Sequence, residues 1–319
     1  MIAGVRLVGE RHPLTGLVIY FPPLVWLAPL GVLTPLCLFR WRFLLVQMVA
    51  VILVFFGFSR FHLGWTRPSK NETVSLLTNN VGQNNKQSPI PFIDLERPDF
   101  VVFQEGRFGL PDYSKLLPDR HCIKNGQFLL LSKYPVISVS PLKGTTVEGQ
   151  PIAMRYEVDF KGRKMAIYNV HLPTPRNEFR RLSGVELLTG IIDPSALPAV
   201  PYRASYSESL QRRVRLVMEL KEIIQKENLP YVVAGDFNMP DTGYLYRVLA
   251  GTFTDAFASC GKGYGYTFPG FTRNPLSFFQ PWLRLDYIFS GPGVSPVYCR
   301  AEPKRSSQHR AVVARFELK

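Results

Sequence analysis

Tyr231-Val-Val-Ala-Gly-Asp-Phe-Asn-Met-Pro240 decides how this 319-residue chain is read. Tyr231 to Ala234 is a short apolar run with paired valines, the composition of a buried strand. Gly235 is expected to break it, Asp236 and Asn238 follow two apart, and Pro240 forces a turn. Such a strand presents a carboxylate and a carboxamide at a rigid tip, where they can fix a water molecule and a substrate oxygen. Taken alone, the run equally describes a strand closed by an Asx-type turn.

Working outward, the same pattern recurs. Thr73–Val81 reads as a strand ending in Asn79 and Asn80, and Phe100–Phe103 as one ending in Gln104 and Glu105. A carboxylate there is costly to bury unpaired, so Glu105 should meet a cation or hydrogen-bond donors, an arginine being the structural alternative. Phe128–Ser132 is a further strand. Ile152–Phe160 alternates, turns at Lys161-Gly162-Arg163, and returns as Met165–His171. A histidine in that place is, by itself, more often a satisfied structural group than a functional one. Leu283–Phe289 is an apolar run interrupted by Asp286, and the last strand, His309–Glu317, opens with His309. Helices are expected over 90–97, 207–227 and 241–249. The middle one puts Leu210, Val214, Val217, Leu220 and Ile224 on one face and Arg212, Arg213 and Arg215 on the other. Residues 172–205 read as a proline-rich irregular loop carrying Arg176, Arg180, Arg181 and Arg203, and 261–271 as a glycine/aromatic loop.

Composition narrows the class. A net charge of +14 favours anionic partners, although a solvated basic surface accounts for it equally. The four cysteines form no CxxC pair, which argues against a zinc or redox motif. At the N-terminus, Leu17–Phe39 and Phe43–Phe58 lack charges and flank Arg40-Trp41-Arg42. They read as a membrane hairpin with two crossings, about 17–39 and 43–63, within residues 1–65. A signal peptide would have one apolar stretch and a cleavage site, and a soluble core hairpin would have polar faces. Residues 66–71 then form a linker before a domain at 72–319. The charge pattern leaves the side of the membrane open.

Asn79-Asn80-Val81, Phe103-Gln104-Glu105, Leu130-Leu-Ser-Lys-Tyr-Pro135, Asn169-Val-His-Leu172, Gly235-Asp-Phe-Asn238, Leu285-Asp-Tyr-Ile288 and Ser307-Gln-His309 together resemble the endonuclease/exonuclease/phosphatase superfamily over residues 72–319. The resemblance implies an α/β fold of two β-sheets packed face to face with helices on the outer faces, a four-layer sandwich. It implies a divalent-metal-dependent phosphodiester hydrolase in which activated water attacks in line. Glu105 would bind Mg²⁺ or Mn²⁺ with Asn80 beside the ion, since hard cations take oxygen ligands. Asp236 would orient or deprotonate the water, and Asn238 would donate to the phosphoryl oxygens. His309 would contact or protonate the phosphate with its ring held by Asp286, and His171 would contact it from the other side. One departure stands out: Gln308 occupies the place where relatives usually have aspartate, which removes a charge from the metal site. The partners implied are a phosphate-ester substrate, either nucleic acid or a lipid head group, and the bilayer, with no protein partner inferred. An inactive phosphate-binding membrane module is the alternative that Gln308 raises.

Overall fold

The computed structural model describes residues 2–37, 41–69, 71–82, 87–106, 111–175, 201–270 and 281–319. Two six-stranded mixed sheets form its centre. The first runs, edge to edge, Val294–Ala301, Val312–Leu318, Thr73–Asn80, Phe100–Gln104, Phe128–Ser132 and His121–Asn125. The second runs Thr254–Asp255, Asp286–Ser290, Tyr231–Asp236, Arg163–His171, Ala153–Phe160 and Val136–Pro141. Each sheet contains one parallel pair, Thr73–Asn80 with Phe100–Gln104 and Arg163–His171 with Tyr231–Asp236; the other ladders are antiparallel.

Alternation along the strands builds the layers, because successive side chains point to opposite faces. Leu76, Phe100, Val102, Leu130, Tyr156, Ile167, Val232, Ile288 and Phe316 fill the space between the sheets. The outer face of the second sheet packs Tyr168, Val170 and Val233 against Val217, Leu220 and Ile224 of the Pro201–Ile224 helix, and against Leu245 and Leu249 of Tyr244–Ala250. The outer face of the first sheet packs Leu77, Val101 and Phe103 against Phe92, Ile93 and Tyr113. This is the four-layer α/β sandwich expected.

Several boundaries differ from the sequence reading. Gly235 does not break its strand: the ladder continues through Asp236, and a side chain at Gly235, whose φ is +148°, would run into the Val170 carbonyl. The long helix begins at Pro201 rather than at Ser207, with the proline in the first turn, where its missing N–H costs nothing. Strands His121–Asn125, Val136–Pro141 and Val294–Ala301 were not anticipated. They lie at sheet edges, and the first two are largely solvent-facing, so their apolar signal is weak. Gln83, Asn84, Asn85, Arg176, Arg180 and Arg181 lie outside the described residues.

The N-terminal quarter departs most. Leu17–Phe39 is not one continuous helix: Pro13–Val18 ends early, a 3₁₀ turn covers Pro23–Leu27, and a short helix runs Ala28–Cys37. Pro22 and Pro23 remove amide donors where a single span would need them. Among the described residues one helix, Trp41–Phe58, is long and apolar enough to cross a membrane. It is α-helical to Ile52 and π-helical from Leu53 to Phe58. Residues 38–40, the expected turn, lie outside the described part. The preceding segment folds onto the sandwich, with the Glu10 carboxylate accepting from the Tyr244 and Leu245 amides at 2.8 and 3.2 Å. Val5, Ile19, Val54 and Phe58 form a small core of their own.

Candidate active site

The two parallel pairs assemble the site. Asn80 is the register partner of Gln104, which Glu105 follows; His171 is the partner of Asp236, which is itself the partner of Asp286. The ends of neighbouring strands in both sheets therefore deliver their polar residues to one edge of the sandwich. Asn169 ties the sheets together beneath them, accepting from Gln104 Nε2 at 2.7 Å and donating to the Phe103 carbonyl at 3.0 Å.

All seven residues singled out from the sequence meet here. Asp236, 1% exposed, accepts from the Asn238 amide at 2.8 Å through Oδ1. Its Oδ2 accepts from Asn80 Nδ2 at 2.9 Å and Asn238 Nδ2 at 3.2 Å. The same Asn80 nitrogen donates to Glu105 Oε1 at 3.0 Å, so one carboxamide bridges two carboxylates. His171 is oriented by Gln127 Oε1, 2.7 Å from Nδ1, and its Nε2 lies 3.6 Å from Glu105 and 3.9 Å from Asp236. His309 Nδ1 meets Asp286 Oδ2 at 2.9 Å, and its Nε2 lies 3.8 Å from Asp236 Oδ2. Asp236, Asp286 and His309 thus converge with ligand atoms within 4.8 Å of one another.

Electrostatics follow from burial. Desolvation works against an imidazolium at His309, but the charges of Asp286 and Asp236, the Asp286 hydrogen bond and Glu105 outweigh it and push its pKa up to about 9. Burial raises the Asp286 carboxyl too, with His309 pulling against it and Asp236 adding to it. The pair therefore holds one proton firmly on the ring, leaving Nε2–H directed into the site. Among the described residues no lysine or arginine pairs with Glu105, Asp236 or Asp286; their charged neighbours are imidazoles.

Two site residues sit in the left-handed region, Glu105 at φ +58° and Asn238 at φ +48°, a conformation that persists only where its surroundings hold it. Gly82 makes room for Glu105, since a Cβ there would collide with the carboxylate. Asn238 is held on both sides. Its amide Nδ2 donates to the Leu172 carbonyl at 2.9 Å, and its own carbonyl accepts from Arg213 at 2.7 Å and Tyr20 at 2.8 Å. Its side chain is thus committed to Asp236 and Leu172 rather than directed at a substrate.

Sequence reasoning missed the supports. Arg305, 6% exposed, grips Glu302 through Nε at 2.8 Å and Asn79 through Nη2 at 2.7 Å, and reaches the His309 carbonyl at 3.3 Å. Thr267 accepts from the Leu285 and Asp286 amides, and the Phe268 ring lies 5.0 Å from the His309 ring. Arg213 had been placed on the solvent face of its helix, yet it is buried. Its guanidinium lies against Asn238 and the Pro173 carbonyl. Helical spacing does separate it from Arg212 and Arg215: Arg213 lies three residues after Leu210 and four before Val217, on the buried face, while the other two point to solvent.

The donor set fits a hard divalent cation. The carboxylates of Glu105 and Asp236 crowd together with no guanidinium among the described residues, and Gly82 leaves room for Glu105; Asn80 turns its Nδ2 to both carboxylates while its Oδ1 accepts from the Gly82 amide at 2.9 Å.

Residues 67–309 match the Endonuclease/Exonuclease/phosphatase family. Solved structures with the same fold include a 3'-5' exonuclease (NExo) from Neisseria meningitidis, 18% identical with a TM-score of 0.53, covering 76% of this chain and 100% of that one. An AP endonuclease from Archaeoglobus fulgidus, 18% identical with a TM-score of 0.52, covers 76% and 98% respectively. Humanized D. rerio TDP2, 17% identical with a TM-score of 0.53, covers 77% and 99%. No curated protein matches the chain in sequence. The family's enzymes are generally divalent-metal dependent, and the acidic and histidine cluster that such chemistry needs is present here. With three-quarters of its length matched and these carboxylates and histidines converging at one edge of the sandwich, the chain belongs to the Endonuclease/Exonuclease/phosphatase family of phosphate-ester hydrolases.

Proposed function

We propose that the chain is a phosphodiesterase that works at a membrane, cleaving its substrate by in-line attack of water. The observation that carries this reading is the Asp236 carboxylate, fixed at both oxygens by Asn80 and Asn238 and facing His309 Nε2 across 3.8 Å. Asp236 orients the attacking water and takes its proton. His309, protonated and held by Asp286, donates from Nε2 to a phosphoryl or leaving oxygen as charge builds there. His171, oriented by Gln127, contacts the phosphate from the Glu105 side. Asn238 acts by orienting Asp236 rather than by touching substrate, which follows from where its amide hydrogens go.

Glu105, with Asn80 beside it, would hold the cation, which we take to be Mg²⁺ or Mn²⁺. When bound, it neutralises phosphate charge and polarises the scissile bond. Gln308 adds no charge to that position, so affinity rests chiefly on Glu105.

Residues 72–319 are the catalytic unit in this reading and 66–71 the connecting stretch. Attachment is through the Trp41–Phe58 helix, whose apolar side chains are mostly exposed. Two substrates compete. The arginines of residues 176–215 other than the buried Arg213 suit a nucleic-acid backbone, whereas membrane attachment suits a lipid head group. Full-length protein in detergent micelles, assayed side by side on plasmid DNA, RNA and sphingomyelin with Mg²⁺ or Mn²⁺, decides between them. Turnover of none, with phosphate-ligand binding intact, would favour the inactive binding module instead.

A further inference from the structure

The segment before the apolar helix reaches the catalytic loop itself. The Tyr20 hydroxyl donates to the Asn238 carbonyl at 2.8 Å across 218 residues of chain, beside the Arg213 guanidinium on the same oxygen at 2.7 Å. Two donors on one carbonyl fix the peptide that follows a left-handed residue. That residue in turn supplies donors to both oxygens of Asp236. Tyr20 is itself held. Its carbonyl accepts from Trp282 Nε1 at 3.5 Å, and its ring packs on the core of Val5, Ile19, Val54 and Phe58. That core contains two residues from the end of the apolar Trp41–Phe58 helix. A chain of packed groups thus runs from the apolar helix to the catalytic carboxylate.

We propose that Tyr20 is a positioning residue of the active site, holding Asn238 and through it Asp236, so that docking of the N-terminal segment completes the catalytic loop. The inference rests on the phosphodiesterase reading for its kinetic arm only. Its logic is geometric: a carboxylate that must aim one water tolerates little rotation, and small misplacements cost rate rather than binding. The N-terminal segment is then part of the enzyme, and not merely its tether.

The test uses full-length protein in detergent micelles and two variants. Tyr20→Phe removes the hydroxyl and keeps the ring in its apolar core. Tyr266→Phe removes a similar bond at the same interface, the one to the Ser59 carbonyl at 3.2 Å, without reaching Asn238. On bis(p-nitrophenyl) phosphate, Tyr20→Phe should lower kcat roughly tenfold, the rate equivalent of one hydrogen bond, and leave KM within about twofold. Tyr266→Phe should leave both near wild type. Hydrogen exchange gives an arm independent of turnover: the Asn238 amide, bonded to Asp236 Oδ1, should exchange faster in Tyr20→Phe and not in Tyr266→Phe. Wild-type kcat together with wild-type exchange in Tyr20→Phe overturns the inference. So does an equal loss in both variants, which would mark a general effect of docking. If wild-type protein cleaves no phosphodiester, the functional reading fails, and the exchange arm alone still decides whether Tyr20 holds the loop.

Discussion

Two clusters of buried charge lie on either side of the loop that follows Asp236, and they are built on opposite principles. Around Arg284, 1% exposed, every carboxylate meets a guanidinium. Arg284 contacts Asp255 at 2.6 Å and Asp241 at 3.3 Å, and Arg60 lies 3.6 Å from Asp241. The Tyr246 hydroxyl and the Phe257 and Ala258 amides complete the shell of Asp255. Two arginines balance two aspartates in charge. Around Asp236, three carboxylates face imidazoles and carboxamides, with no guanidinium among the described residues. Burial costs both clusters desolvation. The balanced one recovers it internally, whereas in the proposed function the unbalanced one recovers it from a bound cation and an arriving phosphate. On the proposed function, the difference separates residues that hold the fold from residues that do chemistry.

Breaking the balanced cluster should produce the largest effect on stability. Arg284→Met strands Asp255 as a buried charge without its guanidinium, leaves Asp241 only the 3.6 Å contact to Arg60, and should cost about 3–5 kcal/mol of unfolding free energy, read by denaturant titration in micelles. A loss under about 1 kcal/mol would erase the contrast.

The unbalanced cluster should respond to pH instead. His309 titrates at about 9, above its ordinary 6.5. Its imidazolium therefore persists up to about pH 9, so proton donation is lost as pH rises through about 9, while the stability it contributes is full below about 6.5 and is lost over the interval up to about 9. kcat should accordingly show an alkaline limb near pH 9. Asp286→Asn removes the nearest charge and leaves at most a neutral hydrogen bond to Nδ1, so that limb should move down towards 6.5. A limb that stays at 9 in the variant would remove Asp286 from the pair.

The smallest effect sharpens the comparison from the metal side. Gln308→Asp adds the charge that relatives carry, and should tighten Mn²⁺ binding by up to about tenfold, measured by calorimetry. No change would mean that Gln308 lies outside the ion's reach.

Much of this was legible in the sequence because strand ends are local. An apolar run that stops at Asn80, Glu105, His171 or Asp236 announces both the strand and the group it presents, and the two parallel pairs then bring those ends together. The supports were not legible. Arg305, Gln127 and Tyr20 act through tertiary contacts that no periodicity encodes; Tyr20 sits in an apolar stretch whose composition read as a membrane span. Composition does not say where prolines will divide a hydrophobic run, and Pro22 and Pro23 turned the expected first crossing into a segment docked on the enzyme. Edge strands such as His121–Asn125 escaped notice because solvent on their outer sides dilutes the alternation.

The central claim is that Asp236 activates water in a metal-holding pocket. Full-length wild type and Asp236→Asn, stripped with EDTA and titrated with Mn²⁺ on bis(p-nitrophenyl) phosphate, test it directly. Turnover in the wild type should appear only with the metal. The variant, folded to within about 1 kcal/mol of wild type, should lose about 10²–10⁴-fold in kcat. Equal turnover by the two proteins would contradict the account.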